Sequence, residues 1–293
     1  MASGARYMAS IVIYDALVIG GSYAGLTAAL SLGRVGRHVL LIDSGKYRNE
    51  RATGMHGIPT AEGVLPQAFR DKAKQELQTY PTVQTISAFI DKVQQHEGQF
   101  LAFKKDTVYR GRKLLLAAGV NDVLPPIPGF EEYWGRGIIH CIFCHGYEHR
   151  GKSFGALVTS PQYMAGALMA QKINPDITLF LSGIDLASLE AVVPNVSSAL
   201  AKANIQVEER AIKSVTKDAQ RDVFQLHLED GTIVERGTLL YGRPTEQSTP
   251  FAEQLGVELD ETNNIKTTSM FMTTNVKGVF AAGDCATMIK GVT

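Results

Sequence analysis

Apolar residues occur in short, nearly continuous runs separated by glycine and charged residues. The first run covers residues 11–19 and the second covers residues 39–43, with a stretch of small and apolar residues at 26–32 between them. Continuous apolar runs of this length are typical of strands that are buried on both faces of a parallel sheet. The stretch between them predicts a helix, so the N-terminal pattern predicts a β-α-β unit.

After this unit the pattern changes to a charged helix and a series of strands. The helix is predicted over residues 67–79. A β-meander that returns to the sheet is predicted from four further segments, at residues 82–93, 100–103, 107–109 and 113–119.

The same order of elements is repeated in the second half of the chain. Strand-like and helix-like segments alternate at residues 154–159, 161–172, 177–181 and 188–203. A second meander and its return strand follow at residues 205–215, 224–228, 232–235 and 238–242, with a hairpin turn at Asp230-Gly231. The duplication predicts an α/β fold with two Rossmann-like (three-layer ββα) dinucleotide-binding domains. We place the first domain in residues 1–122 and 244–293, and the second, inserted between them, in residues 123–243.

Composition and charge narrow the classes of function. The 293 residues are 45% hydrophobic, and Lys+Arg and Asp+Glu both total 29, so the net charge gives no sign of binding to nucleic acid or an anionic membrane. No apolar run approaches the roughly 20 residues of a membrane span, and three cysteines are too few for a secreted disulfide scaffold. Residues 1–10 lack the pattern of a signal peptide, so we expect a cytoplasmic protein.

The first predicted strand ends in a glycine-rich turn. It is a G-x-S-x-x-G variant of the dinucleotide fingerprint, made of Gly20, Gly21, Ser22, Tyr23, Ala24 and Gly25. The backbone N–H groups of such a turn and of the following helix hold a pyrophosphate, and serine is small enough to keep the backbone close to it. Asp43 ends the next strand, where a carboxylate that binds the ribose is expected.

The last apolar strand, at residues 278–282, ends in Gly283 and Asp284. An aspartate at this point can accept a hydrogen bond from the ribityl chain of a flavin. Because a pyrophosphate turn and a ribose acceptor are also present, we predict one FAD per chain. Further cofactor contacts are expected from the loop after Asp43 and from the return strand, at Ser44, Arg48, Asn49, His56, Ala118 and Gly119.

Two of the three cysteines, Cys141 and Cys144, form a C-x-x-C pair that His140 and His145 flank. Such a pair can close a small disulfide, and a neighbouring base can lower the pKa of a thiol, so the pattern predicts redox chemistry. The same four residues and His149 could also bind zinc. Structural zinc sites usually draw their ligands from two separated pairs, however, so we predict no metal.

The corresponding turn of the second domain contains no glycine. It reads Thr159-Ser160-Pro161-Gln162-Tyr163-Met164, and the segment after the next strand, Ser182-Gly183-Ile184-Asp185, offers no arginine for a 2′-phosphate. We therefore predict that the nucleotide site of the second domain is degenerate and does not bind NADPH.

Nearly the whole chain resembles the low-molecular-weight thioredoxin reductases, flavoproteins with two dinucleotide-binding domains. The glycine turn, the Leu-Leu-Leu-Ala-Ala-Gly segment at 114–119, the C-x-x-C pair and the Gly-Val-Phe-Ala-Ala-Gly-Asp segment at 278–284 occur in the order and spacing of that family. Within the group, three segments are most similar to the fungal dithiol oxidases of the gliotoxin sulfhydryl oxidase group, which close disulfides in epidithiodiketopiperazines. These segments are residues 43–49, 55–59 and 141–148.

The resemblance implies an FAD-dependent thiol oxidase of secondary metabolite biosynthesis, a homodimer that oxidises a small-molecule dithiol and reduces O2 to H2O2. By the same analogy, substrate attacks the sulfur of Cys141. His145 is our candidate base, Glu148 orients it, and His140 is the alternative base. Two other interpretations stay open, namely an NADPH-dependent disulfide reductase of the thioredoxin reductase type and a non-catalytic redox sensor that binds FAD or a metal.

Overall fold

The structure, a computed structural model, describes residues 8–161, 164–182, 184–268 and 270–291. The chain divides into two compact units. The first unit comprises the residues up to Glu50, Val64–Asp122 and the residues from Thr245 onwards, and the second comprises Arg51–Gly63 and Val123–Pro244.

These units differ from the sequence-based domains at residues 51–63 and, by one position, at Pro244. The sequence pattern placed residues 51–63 in the first domain, but they pack within the second unit. Arg51 Nη1 donates to the carbonyl of Glu131 over 3.1 Å, and the ring of His56 lies edge-on to that of His145. No local pattern in the sequence encodes such long-range contacts. The nucleotide-binding roles of the two domains stay predictions.

The strands of the described residues are, in chain order, β1 (Met8–Ile19), β2 (Val39–Asp43), β3 (Val83–Ser87), β4 (Lys92–His96), β5 (Gln99–Lys104), β6 (Thr107–Leu116), β7 (Val120–Asp122), β8 (Ile138–Ile139), β9 (Phe154–Val158), β10 (Ile177–Phe180), β11 (Ile205–Glu208), β12 (Ile212–Asp218), β13 (Val223–Leu228), β14 (Ile233–Arg236), β15 (Thr238–Gly242), β16 (Thr245–Gln247) and β17 (Val279–Ala281). The α-helices are α1 (Tyr23–Arg34), α2 (Pro66–Leu77), α3 (Ile142–His145), α4 (Ala165–Ala170), α5 (Leu186–Val192), α6 (Val196–Lys202) and α7 (Phe251–Leu255). Short 3-10 helices cover Glu131–Tyr133 and Tyr147–His149.

The first unit is built on one large sheet. Its strands lie in the order β3-β2-β1-β6-β5-β4, and β17 also pairs with β6. Neighbouring strands pair in parallel in the part of the sheet ordered β3-β2-β1-β6, and β17 also pairs with β6 in parallel. Strands β6, β5 and β4 form the antiparallel meander. Strands β7 and β16 form a separate antiparallel pair.

Three predicted segments of the first unit were wrong in their extent. The segment predicted as one strand at 82–93 contains two, because β3 pairs with β2 whereas β4 pairs with β5. The two segments at 107–109 and 113–119 belong largely to the single strand β6, which ends at Leu116. Gly111 lies directly over Leu17, since a Cβ atom there would come within 2.6 Å of Leu17 Cγ. The glycine therefore permits close contact between strands and does not break the strand.

The second unit contains a parallel sheet in the order β11-β10-β9-β15-β8 and a separate antiparallel sheet in the order β12-β13-β14. The predicted hairpin turn is present, with Gly231 at φ +86° and the N–H of Thr232 donating to Asp230 Oδ1. The predicted strand at 205–215 is divided between β11 and β12, which join different sheets.

The two helices predicted in this unit also differ from the observed ones. The segment at 188–203 forms α5 and α6 instead of one helix. Between them Asn195 takes a left-handed conformation (φ +65°), and the Glu190 carboxylate accepts the N–H groups of Asn195 and Ser197. The second predicted helix, at 161–172, contains α4, and its residues 162 and 163 lie outside the described part of the chain.

Strand β2 shows why the apolar runs are continuous. Val39 and Leu41 pack in one cluster with Leu26 of α1, whereas Leu40 and Ile42 pack in another cluster on the opposite side of the sheet. Because both faces of a parallel strand are covered, successive residues are all buried. The predicted α/β fold with two Rossmann-like domains is confirmed by the parallel, helix-covered sheet in each unit. No helix among the described residues combines the length and the apolar character needed to cross a membrane.

Candidate redox and cofactor sites

The C-x-x-C pair lies in the second unit, where β8 leads into the short helix α3. Cys141 and Cys144 form a disulfide, with their Cα atoms 5.2 Å apart. The backbone N–H of Cys144 donates to Cys141 Sγ over 3.1 Å. Since a hydrogen bond to sulfur favours the charged form, this N–H would stabilise a Cys141 thiolate after reduction. Phe143, between the cysteines, is 78% exposed.

Imidazole rings surround this segment. The His145 ring is centred 6.0 Å from that of His56 and 6.3 Å from that of His140, edge-on to both. His140 in turn lies 5.9 Å from the ring of Trp134. Burial lowers the pKa of the His145 imidazole, and the charge of His56 lowers it further, while Glu148 acts in the opposite direction. His145 is therefore neutral at pH 7 and can accept a proton.

His56 is oriented by a carboxylate that the sequence analysis did not single out. His56 Nδ1 lies 2.8 Å from Glu62 Oε1, and the N–H of Gly57 donates to Glu62 Oε2 over 2.8 Å. Because a carboxylate only accepts, Nδ1 donates its hydrogen to Glu62. Nε2 lies 3.5 Å from Glu148 Oε1. His56, predicted to contact the cofactor, thus forms one cluster with His145 and Glu148.

The glycine turn of the first unit leaves no room for a Cβ atom at any of its three glycines. A Cβ atom at Gly20 (φ +127°) would lie 2.0 Å from the carbonyl oxygen of Ala117, and one at Gly25 would lie 1.8 Å from the carbonyl oxygen of Gly20. A Cβ atom at Gly21 would lie 2.0 Å from Asp43 Cγ. Ser22 begins α1 in an extended conformation, and its hydroxyl forms no helix-capping bond. The backbone here has the close approach that a pyrophosphate turn requires.

Asp43, predicted to bind a ribose, is almost fully buried beside this turn and already has three partners. Lys74 Nζ and the Tyr47 hydroxyl donate to Oδ2 over 2.7 and 2.5 Å, and the N–H of Gly45 donates to Oδ1 over 2.9 Å. Burial raises the pKa of the Asp43 carboxyl, but the hydrogen bonds from Lys74, Tyr47 and Gly45 outweigh burial, so the pKa lies below its usual value. An ionised carboxylate accepts about four hydrogen bonds, so Oδ1 can accept one more, from a ribose hydroxyl.

Arg48 joins the loop after β2 to the Gly-Asp end of β17. It forms two short hydrogen bonds, from Nη2 to Asp122 Oδ1 (2.7 Å) and from Nη1 to Asp284 Oδ2 (2.6 Å). Asp284, predicted to accept the ribityl chain, is thereby held by a guanidinium group. Gly283 (φ +80°) packs on the glycine turn, since a Cβ atom there would lie 2.8 Å from the Cβ of Ala24.

The remaining predicted cofactor residues lie in the same unit. Tyr23 stacks on Phe69, and Gly119 takes a left-handed conformation (φ +75°). The other three accept hydrogen bonds: Asn49 Oδ1 from Arg70 Nη1, the carbonyl of Ala118 from Ser248 Oγ, and Ser44 Oγ from the N–H of Lys46. Sequence reasoning missed Lys74 and Tyr47 on Asp43 and Glu62 on His56. Tyr47 lies in the segment 43–49 that carries the family resemblance, but its role on Asp43 is visible only in the tertiary contacts. Lys74 and Glu62 belong to no motif, so only the structure reveals them.

The segments on which the predicted loss of the second nucleotide site rests lie only partly in the described part of the chain. Strand β9 ends at Val158, before the glycine-free turn that begins at Thr159. Residues 162, 163 and 183 lie outside the described part of the chain. The loss of NADPH binding therefore stays a prediction.

Comparison with known proteins agrees with this arrangement. The family model of pyridine nucleotide-disulphide oxidoreductases matches residues 14–293. Thioredoxin reductase sirT of Leptosphaeria maculans is 37% identical over 96% of this chain and 89% of its own length, and thioredoxin reductase tcpT of Claviceps purpurea is 34% identical over 97% and 90%.

Among solved structures, an oxidoreductase from Agrobacterium tumefaciens superposes with a TM-score of 0.86 at 30% identity, covering 96% of this chain and 92% of that chain. The resemblance to thioredoxin reductases drawn from the sequence motifs is thus confirmed by fungal relatives and by the fold. The chain belongs to the pyridine nucleotide-disulphide oxidoreductase family and is similar to fungal thioredoxin reductases along nearly its whole length.

Proposed function

We propose that this oxidoreductase is an FAD-dependent thiol oxidase that forms an intramolecular disulfide in a small-molecule dithiol, with O2 as the electron acceptor. The observation that carries the proposal is the Cys141–Cys144 disulfide next to a neutral imidazole, His145. A thiol-disulfide exchange needs this pair of groups, one to be attacked and one to take the proton of the attacking thiol.

The first unit supplies residues that fit FAD. The glycine turn around Gly20 and Gly25 would hold the pyrophosphate, Asp43 has one acceptor position left for the ribose, and Asp284 would accept from the ribityl chain. The chemistry that FAD supplies when bound is the passage of two electrons from the cysteine pair to O2, which is reduced to H2O2.

The residues of this chain then have separate tasks. His145 accepts the proton of one substrate thiol, and the resulting thiolate attacks Cys141 Sγ, so the disulfide opens and Cys144 leaves as a thiolate. The second substrate thiol gives its proton to the Cys144 thiolate, and the thiolate so formed attacks the substrate sulfur of this mixed disulfide. That step forms the disulfide of the product and releases Cys141 as a thiolate, which the N–H of Cys144 stabilises. The substrate loses two electrons and two protons, and the cysteine pair gains the electrons.

A second candidate is an NADPH-dependent disulfide reductase, which the names of the relatives favour. The two functions differ in the source of electrons. Anaerobic mixing of the holoprotein with NADPH or with a small dithiol, followed at the flavin absorbance band, separates them. Rapid bleaching by NADPH would establish the reductase, and bleaching by the dithiol alone is expected for the oxidase.

The main test of the proposed chemistry is the single substitution His145→Ala. We expect the rate of flavin reduction by dithiol at pH 7 to fall by about 100-fold, the usual scale for the loss of a general base. The matched control is His96→Ala, at an exposed histidine of β4 in the first unit. Unchanged turnover of His145→Ala would refute the assignment and make His140 the next residue to replace.

Three further expectations belong to this proposal. The purified protein should carry one FAD per chain, and a colourless protein that takes up no FAD on reconstitution would overturn it. The resemblance predicts a homodimer, which sedimentation at micromolar concentration tests. A cytoplasmic location is likewise a prediction, and fractionation of cells that produce the protein tests it.

A further inference from the structure

The cluster beside the disulfide has the composition of a metal site. His56, His145 and Glu148 each offer one ligand atom, and these three atoms lie within 4.8 Å of one another. We propose that His56, His145 and Glu148 bind Zn²⁺ and that this ion inhibits the thiol chemistry by occupying His145. The inhibition rests on the proposed function, but the binding does not.

The spacing of the ligand atoms suits a tetrahedral ion. With zinc–ligand bonds of about 2.05 Å and tetrahedral angles, two ligand atoms lie about 3.4 Å apart. His56 Nε2 and Glu148 Oε1 are 3.5 Å apart, so one ion can bind both with little movement. The side chain of Glu148 is 40% exposed, and all three ligand atoms already lie within 4.8 Å of one another, so a small side-chain movement would bring the wider pairs onto the same ion.

The surroundings of His56 resemble those of a metal ligand. A metal-bound histidine usually donates its other ring N–H to a carboxylate, which fixes the tautomer and the ring orientation. Glu62 is placed to do this here, since it accepts from Nδ1, while Nε2 of the same ring lies 3.5 Å from Glu148 Oε1. Gly54 leaves space beside this nitrogen, because a Cβ atom at Gly54 would lie 3.1 Å from Nε2.

The ligand set fits Zn²⁺ better than it fits Ca²⁺ or Mg²⁺. Two imidazoles and one carboxylate, with the fourth position left to water, are a set that Zn²⁺ accepts, whereas Ca²⁺ and Mg²⁺ prefer oxygen ligands alone. A bound Zn²⁺ would occupy one nitrogen of His145, the residue that accepts the substrate proton in the proposed function. Oxidation of dithiol should therefore slow in the presence of Zn²⁺ and recover when a chelator removes it.

The test is equilibrium dialysis of the oxidised holoprotein against micromolar ZnCl2, with protein-bound zinc measured by mass spectrometry. The cysteine pair must stay a disulfide, confirmed by thiol titration, because reduced cysteines bind zinc themselves. We expect one Zn²⁺ per chain. Glu148→Gln and His56→Gln should each weaken binding strongly, and Glu62→Gln should weaken it about 10- to 100-fold, the usual effect of removing the partner of a metal-bound histidine.

His96→Gln is the matched control, because His96 of β4 also lies near a carboxylate, that of Glu97, but belongs to no possible metal-binding group within the described part of the chain. It should bind Zn²⁺ like the parent protein. Uptake by the parent that Glu148→Gln abolishes would establish the site even if no dithiol proves to be a substrate. No uptake by the parent, or equal uptake by Glu148→Gln, would overturn it. Zinc binding without inhibition of dithiol oxidation would overturn the inhibitory role alone.

Discussion

The ion pair between Lys74 and Asp43 gives the sharpest prediction about the cofactor-binding unit. The Asp43 side chain is 3% exposed and that of Lys74 is 28% exposed, with a 2.7 Å hydrogen bond between them. Lys74→Met would leave the buried carboxylate with only Tyr47 and Gly45 as partners. Breaking a fully buried ion pair lowers the free energy of unfolding by about 3–5 kcal/mol. Because Lys74 is partly exposed and two hydrogen bonds to Asp43 remain, we expect Lys74→Met to lower the free energy of unfolding by about 2 kcal/mol at pH 7.

The stability lost in Lys74→Met should be smaller at acid pH than at pH 7. The pKa of Asp43 is lowered in the folded protein, so its ionised form contributes stability above the unfolded-state pKa, and that contribution disappears as the pH falls through the folded-state pKa. In Lys74→Met the hydrogen bond from Lys74 no longer offsets the effect of burial on the Asp43 carboxyl, so the pKa of Asp43 rises. The difference between parent and variant should therefore shrink as the pH falls from 7 toward the pKa of a carboxyl group, about 4.

The assay is urea unfolding followed by circular dichroism at neutral and acid pH, with and without added FAD. Comparing the two FAD conditions separates an effect on the fold from an effect on cofactor binding. Lys72→Met is the control, because Lys72 is an exposed lysine of the same helix. A loss below about 0.5 kcal/mol at pH 7, the range of ordinary surface substitutions, would refute the reasoning, as would a loss that is the same at both pH values.

Three other substitutions test the redox and cofactor sites. Cys144→Ser should abolish flavin reduction by dithiol, because no disulfide remains to be attacked, and stopped-flow absorbance measures this. Gly25→Ala should prevent FAD retention, since its Cβ would lie 1.8 Å from a backbone oxygen, and the ratio of flavin to protein absorbance shows the outcome. Arg48→Lys should raise the dissociation constant of FAD several-fold in titrations, because an ammonium group cannot match the guanidinium that bridges Asp122 and Asp284. An unchanged value of any one of these quantities would contradict the role given to that residue.

The sequence by itself determined the layers of the fold and the two centres of chemistry. Parallel strands covered on both faces need continuous apolar runs, so β2 is visible from its residues alone, with the bounds that the structure shows. Gly20 and Gly25 could be identified because a tight turn excludes a Cβ atom at these positions. The cysteine pair and its flanking histidines are neighbours in the chain, so their proximity required no tertiary information.

Only the tertiary structure decided which side chains complete these centres. Lys74 lies 31 positions after Asp43, and His56 reaches His145 and Glu148 from a segment that the sequence pattern assigned to the other domain. Residues 51–63 carry no periodicity of helix or strand, so nothing local reveals the unit with which they pack. Contacts of this kind depend on where the chain returns in space, which the alternation of apolar and polar residues along a single element does not encode.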